Sequence, residues 1–223
     1  MIIIMAHPDD AEIRCFGTIL KYIDFGYRVR LIIVCDGENG ISIAEKEEFG
    51  ITKINNSIRI KETENAFSST PVEIKVLDGF VDGNLQLNSS LIMTIERELR
   101  EFEPEILITH YPDGIGVDHQ DHFVVGKAAI NCASRNELVK KILLAEPLLT
   151  LRSSFSSNYY VDITDYLDAK ISALSHHKSQ SGRFYLENEF HKIRSSYYAS
   201  MVGYNFVREK HHVESFQMLY QFE

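Results

Sequence analysis

The sequence predicts an α/β protein with a Rossmann-like, mostly parallel sheet, and three observations carry this prediction. The chain opens on MIIIMA, an aliphatic run that is typical of a strand buried on both faces. Further β-branched runs alternate with segments whose apolar residues recur at helical spacing. Ionisable residues follow directly after several predicted strands. Such alternation places helices on both faces of the sheet, and a binding site is expected at the carboxyl edge of its strands.

The first half of the chain alternates strictly between predicted strands and helices. A strand over residues 1–6 is followed by apolar residues at helical spacing over 15–25, which Gly26 ends. YRVRLIIVC over 27–35 predicts the second strand, and DGENG after it is a turn cluster. The remaining predicted elements of this half are a polar helix over 45–67, a strand over 72–78, a helix over 91–102, a strand over 105–110 and a helix over 121–134.

The later part of the chain has a weaker pattern. KKILLAEPLL at 140–149 and YYVDIT at 159–164 predict further strands, and residues 165–177 predict a helix. The aromatic-rich tail that follows contains no element that the pattern assigns. We therefore expect one domain over 1–223, with a Rossmann-like core in 1–150 and C-terminal strands, helix and tail in 151–223.

Composition excludes several classes of function. The 223 residues carry a formal net charge of −9, which disfavours binding to phosphate backbones, so no nucleic-acid partner is expected. The three cysteines are widely spaced and suggest neither disulfides nor a thiolate zinc site. No apolar run approaches the ~20 residues that span a bilayer. We expect a cytoplasmic protein, and the apolar faces of its later segments are compatible with a homo-oligomer.

Two clusters of ionisable residues suggest a metal centre. His7 and Asp10 lie three residues apart on a turn that leaves the first strand, and His122 lies in DHQDH after the fourth. If these strands are neighbours, the two clusters face each other. Two imidazoles and one carboxylate form a typical catalytic zinc set with a position left for water. The sequence therefore predicts one divalent metal ion, Zn²⁺, held by His7, Asp10 and His122.

Three ionisable residues of the same clusters are left for acid–base chemistry. A metal-dependent hydrolase needs a base for the attacking water and a donor for the developing oxyanion or the leaving amine. We assign the base to Asp9, and we assign the acid or oxyanion stabiliser to His119, which a carboxylate such as Asp121 would hold in one tautomer and keep protonated. The alternative is structural, because Asp9 and Asp121 are also typical helix caps, and a single histidine is often structural.

These motifs resemble a known family. AHPDDAE at 6–12 and HQDH at 119–122 are similar to the A-H-P-D-D-(A)-E and H-x-D-H motifs of the LmbE-like, or N-acetylglucosaminyl-phosphatidylinositol de-N-acetylase, family of zinc-dependent deacetylases. Weaker matches follow in order: CDGENG at 35–40, RIKETENA at 59–66, DGFVDGNL at 78–85, HKSQ at 177–180 and VESF at 213–216. The resemblance thus extends over almost the whole chain.

The resemblance implies removal of an acetyl group from an N-acetylglucosamine-type sugar or its conjugate. It implies the metal ligands and acid–base residues given above, and it adds Arg59 as a contact to substrate oxygens and Asp82 as a contact to a sugar hydroxyl. Glu38 and His177 lie in matching segments and are further candidates for substrate binding. The structural alternatives are a solvated helix arginine for Arg59, turn residues for Asp82 and Glu38, and a helix-end histidine for His177.

The chain departs from the family pattern in two places. Arg14 and Phe16 stand where the family has glycines, and Gln120 replaces a proline in the second motif. Neither change removes a predicted ligand. Arg14 is expected either to enter the cleft, where it would bind substrate, or to face solvent.

Two other functions remain open at this point. One is a metal-dependent hydrolase of another amide-type bond. The other is a non-catalytic module that binds a metal or a sugar. A binding module has no use for a base and a proton donor, so the presence of Asp9 and His119 favours an enzyme.

Overall fold

A seven-stranded sheet runs through the middle of the molecule and confirms the predicted α/β class. The computed structural model describes residues 1–41, 47–48, 50, 55–113 and 118–222, and only the backbone of Asn56 and Tyr204. Its strands are β1 (Ile2–Met5), β2 (Arg30–Ile33), β3 (Glu73–Val76), β4 (Ile106–His110), β5 (Lys141–Ala145), β6 (Tyr159–Asp162) and β7 (Val213–Gln221). They are ordered β3-β2-β1-β4-β5-β7-β6.

Helices cover both faces of the sheet. They are α1 (Asp10–Asp24), α2 (Asn56–Ala66), α3 (Ser89–Phe102), α4 (Gln120–Ala133), α5 (Leu167–Leu174), α6 (Asn188–Val202) and α7 (Tyr204–Arg208). Single 3₁₀ turns occur at Thr150–Arg152, Thr164–Tyr166, Lys178–Gln180 and Phe184–Leu186. Of the helix predicted over 45–67, residues 45–46, 49 and 51–54 lie outside the described residues.

Strand β1 is the centre of two hydrophobic cores. Ile2 and Ile4 point into the core formed with α3 and α4, whereas Ile3 and Met5 point into the core formed with α1, α2 and α5. All four side chains are fully buried. Burial on both faces explains the uninterrupted aliphatic sequence of this strand.

The aromatic tail contains a strand that the pattern did not assign. β7 inserts between β5 and β6 and pairs antiparallel with both, whereas the four pairs among β1 to β5 are all parallel. The sheet is therefore mixed at one end. The pairing partners are remote in sequence, so local periodicity does not reveal where the strand inserts.

Helix α1 begins at Asp10 rather than at residue 15, and it is broken at Cys15. The first turn is charged and yet buried, which hides it from a search for an amphipathic pattern. At the break, Cys15 has φ −149° and ψ 18°. The Glu214 carboxylate then accepts hydrogen bonds from the backbone N–H groups of Gly17 (3.2 Å) and Thr18 (2.8 Å). Glu214 thus caps the second half of α1. The first turn, which carries Asp10, is a separate helical segment before the break.

In the part of the chain that the structure describes, no helix combines the length and the apolar character that crossing a bilayer requires.

Helix α4 packs against the end of β4 at Gly126, and we expect this contact to tolerate no side chain. A Cβ atom there would lie 2.5 Å from the carbonyl oxygen of His110. Gly126→Ala should therefore lower the free energy of unfolding by about 1–3 kcal/mol through overpacking, although alanine favours a helix. Urea denaturation measures this loss.

Gly203→Ala is the matched control. Gly203 has an extended backbone, with φ 161°, and a Cβ atom there would meet nothing within 4 Å. Its stability should match the wild type. Equal stability of the two variants would contradict the close approach of α4 to β4.

Candidate active site

The candidate site lies where the connections from β1 and β4 leave the sheet in different directions. The chain passes from β1 to β2 on one side, and β4 pairs with β1 on the other. Such a switch point opens a crevice beyond the strand ends. A cavity of about 530 Å³ opens here, and its lining includes most of the sequence-predicted site residues: His7, Asp9, Asp10, Arg59, Asp82, His119 and His122.

Three atoms from the two clusters converge at one point. His7 Nδ1 lies 3.3 Å from His122 Nε2 and 3.6 Å from Asp10 Oδ2, and His122 Nε2 lies 3.3 Å from the same oxygen. A tetrahedral ion about 2.0–2.1 Å from each ligand requires ligand atoms about 3.3–3.4 Å apart. The donor set and its spacing therefore fit a divalent metal ion.

The second nitrogen of His7 is held by carboxylates. His7 Nε2 lies 3.0 Å from Asp82 Oδ1 and 3.2 Å from Asp121 Oδ2. Asp121 is itself fixed by the backbone N–H of Gly83 at 2.7 Å and of Leu85 at 3.3 Å. A carboxylate that accepts the N–H of one imidazole nitrogen directs the lone pair of the other nitrogen at a metal.

A second group of side chains, His7, Asp82, His119 and Asp121, also lies close enough together to hold a metal ion. A metal there would need His7 Nε2, the nitrogen that the two carboxylates already engage. With Nδ1 in the first cluster, a neutral imidazole has only one nitrogen to offer as a ligand. The first cluster is therefore the better metal centre. Asp82 and Asp121 of the second cluster are hydrogen-bond partners of its ligand His7.

Charge within the cluster is balanced. Burial would raise the pKa of Asp10, but the imidazoles of His122 and His110 hold it well below its usual range. Burial would lower the pKa of His7 and His122, but neighbouring carboxylates, above all Asp10, raise both. The two histidines thus gain protons readily without a metal, and metal binding competes with those protons.

Asp9 occupies the N-cap of α1 without capping it. Its backbone has φ 91° and ψ −26°, a strained conformation for a residue other than glycine, and its side chain makes no capping hydrogen bond. Instead its Oδ2 accepts a hydrogen bond from Arg59 Nη2 at 2.9 Å. Burial raises the pKa of Asp9, and the Arg59 guanidinium offsets part of that rise. The carboxylate faces the cavity as a base would.

Arg59 is held in a narrow slot. Its guanidinium donates to the carbonyl oxygens of Gly37 at 2.9 Å and Pro8 at 2.7 Å, besides Asp9. A Cβ atom at Gly37 would lie 2.4 Å from Nη1, and one at Gly40 2.5 Å from it. The glycines of the DGENG turn therefore make room for the guanidinium.

His119 stands at the rim of the cavity with 42% of its side chain exposed. Its Nδ1 accepts the backbone N–H of Asp121 at 3.3 Å and lies 3.8 Å from the Asp121 carboxylate. Burial and the nearby His7 and His122 lower its pKa. The lowered pKa and the contact at Nδ1 favour a neutral imidazole with its proton on Nε2 over the protonated ring that the sequence predicted, and the Asp121 carboxylate lies closer to His7 than to His119.

Three other candidate residues from the sequence, Arg14, Glu38 and His177, do not line the cavity. Arg14 is buried behind the metal cluster, and Phe16 packs on Phe67 with ring centroids 4.9 Å apart. His177 is buried, and its Nε2 lies 2.9 Å from Glu12 Oε1. Glu38 belongs to the turn after β2, where its backbone N–H bonds to Asp36.

Two residues of the site were not assigned a role from the sequence. His110 stacks on His122 with centroids 4.1 Å apart, and its Nε2 accepts the backbone N–H of Ala6 at 2.9 Å. Asp118 Oδ1 lies 2.7 Å from His122 Nδ1. The signal for Asp118 was available, because DHQDH places it four residues before His122 at the start of a helix.

We expect His122→Ala to lose the metal. The wild type should retain one zinc ion per chain after dialysis, whereas the variant should not, because only two of the three ligands remain. Elemental analysis measures the stoichiometry, and His176→Ala, at an exposed position, is the matched control. Retention of zinc by the folded His122→Ala chain at wild-type affinity would contradict the assigned centre.

The sequence is similar to those of known deacetylases. Residues 2–133 match the family model described as PIG-L, GlcNAc-PI de-N-acetylase. The chain is 26% identical to the diacetylchitobiose deacetylase of Thermococcus kodakarensis, over 90% of this chain and 78% of that one. It is 24% identical to the probable N-acetyl-alpha-D-glucosaminyl L-malate deacetylase 2 of Bacillus anthracis, over 81% and 80%.

The fold is shared more widely than these activities. The 4-carboxy-2-hydroxymuconate hydratase GalB of Pseudomonas putida superimposes with a TM-score of 0.81 at 17% identity, over 100% of this chain and 96% of that one. Such low identity shows the fold alone. The family match, by contrast, extends over the β1 to α4 region that carries both metal motifs. The chain belongs to the GlcNAc-PI de-N-acetylase (PIG-L) family.

Proposed function

We propose that this protein is a zinc-dependent N-deacetylase that hydrolyses the acetamide of an N-acetylglucosamine-type sugar or its conjugate. The substrate is a small amino sugar, in keeping with the family and with the deacetylases named among its relatives. One observation carries the proposal. A buried carboxylate, Asp9, faces the cavity from a strained N-cap beside three converging metal-ligand atoms.

His7, Asp10 and His122 would hold one zinc ion per chain. When bound, Zn²⁺ supplies Lewis-acid chemistry, lowering the pKa of water toward about 7 and polarising a carbonyl group. The three side chains are themselves at least nine-tenths buried, and all three line the cavity. Their fixed geometry keeps reorganisation small when the substrate binds.

Asp9 is the general base in this proposal. It takes a proton from the attacking water as the water oxygen adds to the acetyl carbonyl carbon, and it later returns a proton to the departing amine. Arg59 fixes the carboxylate through Oδ2 and leaves the other oxygen for this work. A raised pKa suits both halves of the cycle, because the group must accept and then release a proton near neutral pH.

His119 donates to the oxyanion. Its Nδ1 is engaged by the backbone, so the neutral ring offers Nε2–H to the cavity. A neutral imidazole can serve as this donor without first gaining a proton. Asp121 supports the reaction through His7, whose orientation it fixes.

The cavity offers partners for a sugar ring. Asp82 lines it and stays ionised, because burial is outweighed by His7 and its pKa falls to about 2. Phe184 and Tyr185 line the same cavity, and aromatic faces of this kind pack against apolar surfaces of a ligand. Burial raises the pKa of Tyr185 to about 12, so its hydroxyl remains a donor.

The location and assembly of the protein are part of the same proposal. We place it in the cytoplasm, and a homo-oligomer remains a prediction from the apolar faces of its C-terminal segments. Neither point affects the chemistry above, since every residue invoked belongs to one chain.

Acetate release tests the reaction class. The purified protein with zinc should release acetate from N-acetylglucosamine or diacetylchitobiose, and removal of the metal with a chelator should abolish the release, because the water is then no longer activated. Enzymatic detection of acetate measures the rate. A zinc-loaded protein that releases no acetate from any N-acetylglucosamine derivative would point to another amide or to a binding module.

Substitution of Asp9 tests the base. Asp9→Asn should lower kcat by about 10²–10⁴-fold, because the amide accepts no proton, while zinc stays bound. Asparagine also tolerates a positive φ, so the backbone should be retained.

Asp24→Asn is the control for this substitution, since Asp24 accepts a hydrogen bond from Tyr166 at the surface and lies at the end of α1 opposite to Asp9. Its activity should equal that of the wild type. Full activity of Asp9→Asn would overturn the assignment of the base.

A further inference from the structure

Arg14 lies directly behind the metal cluster. It follows Asp10 by one turn of α1, and its side chain is 2% exposed. Its Nη2 donates to Asp118 Oδ2 at 2.8 Å, and its Nη1 donates to the carbonyl oxygen of Glu146, just after β5, at 2.6 Å. Its Nε lies 3.5 Å from Asp10 Oδ1. The guanidinium therefore connects α1, the segment before α4 and the end of β5.

Asp118 uses its two oxygens on two different partners. Oδ2 accepts from Arg14, and Oδ1 lies 2.7 Å from His122 Nδ1. For His122 to bind a metal through Nε2, its proton must be on Nδ1, where Asp118 Oδ1 accepts it. The 3.2 Å approach of Arg14 Nη2 to the same nitrogen is then a contact between two donors, which the shared carboxylate holds together.

These contacts close a ring around the centre. Arg14 reaches Asp10 directly and reaches His122 through Asp118, so one guanidinium acts on two of the three ligand residues. The third ligand, His7, is oriented separately by Asp82 and Asp121. We propose that Arg14 and Asp118 form an outer support that positions Asp10 and His122 for the metal, and that Arg14 acts here rather than on substrate.

The chemistry of arginine fits this role. Its planar fork offers donors in fixed directions, and three partners in three segments use them. The ammonium of lysine is a single point on a flexible stem and could not reach Asp118 and the Glu146 carbonyl together. The inference rests on the proposed metal-dependent function, because it assigns the pair to the metal centre.

Zinc affinity of four variants tests the support. Arg14→Gln and Asp118→Asn should each raise the Kd for zinc by about 10–100-fold, the usual effect of removing an outer partner of a ligand histidine. The double variant should raise the Kd by less than the product of the two single effects, because Arg14 acts on His122 through Asp118 and only its contact with Asp10 is independent of that residue. Arg14→Lys keeps a buried charge but loses the fork, so its Kd should also rise. Competition against a chromogenic chelator measures each Kd.

Arg30→Gln is the matched control. Arg30 is also a buried arginine, paired with Glu98, Glu101 and Glu73, but it lies on β2 away from the metal cluster. Its loss should lower the melting temperature of the metal-free protein and leave the Kd for zinc unchanged. A merely structural Arg14 would behave in the same way.

The outcomes separate this inference from the proposed reaction. If Arg14→Lys and Asp118→Asn both fold and bind zinc with the wild-type Kd, the proposed role of Arg14 and Asp118 is wrong. It is also wrong if the wild type binds no zinc. If Arg14→Gln fails to fold, Arg14→Lys and Asp118→Asn still decide the question. A wild type that binds zinc and releases no acetate would refute the proposed reaction alone, because the effect on zinc affinity does not depend on turnover.

Discussion

The parallel pairing of β1 with β4 is the constraint on which the site depends. Residues 2–4 of β1 pair with residues 107–109 of β4, so the two strands end side by side at the same edge of the sheet. His7 and Asp10 follow the first strand, and His122 lies in the first turn of α4, the helix that follows the second. Without this pairing, His7 and His122, which are more than a hundred positions apart in sequence, would not converge. The fully buried strand β1 gives that edge its rigidity.

The aspartates of the site contact different partners because their backbone positions differ. Asp9 and Asp10 are adjacent, but the positive φ of Asp9 turns its carboxylate toward Arg59, while Asp10 points at the imidazoles. Asp118 and Asp121 belong to one segment and orient different histidines, His122 and His7 respectively. Each of these four carboxylates thus has its own partner in the site.

The fold and the chemistry carry separate information. A hydratase shares the whole architecture with this chain, so the layered sheet does not by itself define an amide hydrolase. The distinguishing features are local: the two imidazoles and the carboxylate at tetrahedral spacing, and the Asp9 carboxylate beside them, which makes no capping hydrogen bond. Arg14, where the chain departs from the family pattern, is a further local feature. Its buried guanidinium contacts Asp118 and Asp10 beside the metal cluster.

The sequence by itself determined the class of fold, the alternation of its elements and the two clusters that meet at its edge. These features are local, because burial on both faces of a strand and a turn of ionisable residues after it are written in consecutive positions. The tertiary structure alone decided the insertion of β7, the cap that Glu214 provides to α1, the preference of Asp121 for His7 and the place of Arg14. Each of these depends on groups brought together from distant segments, and neither composition nor periodicity specifies which of several carboxylates a buried cation or imidazole will meet.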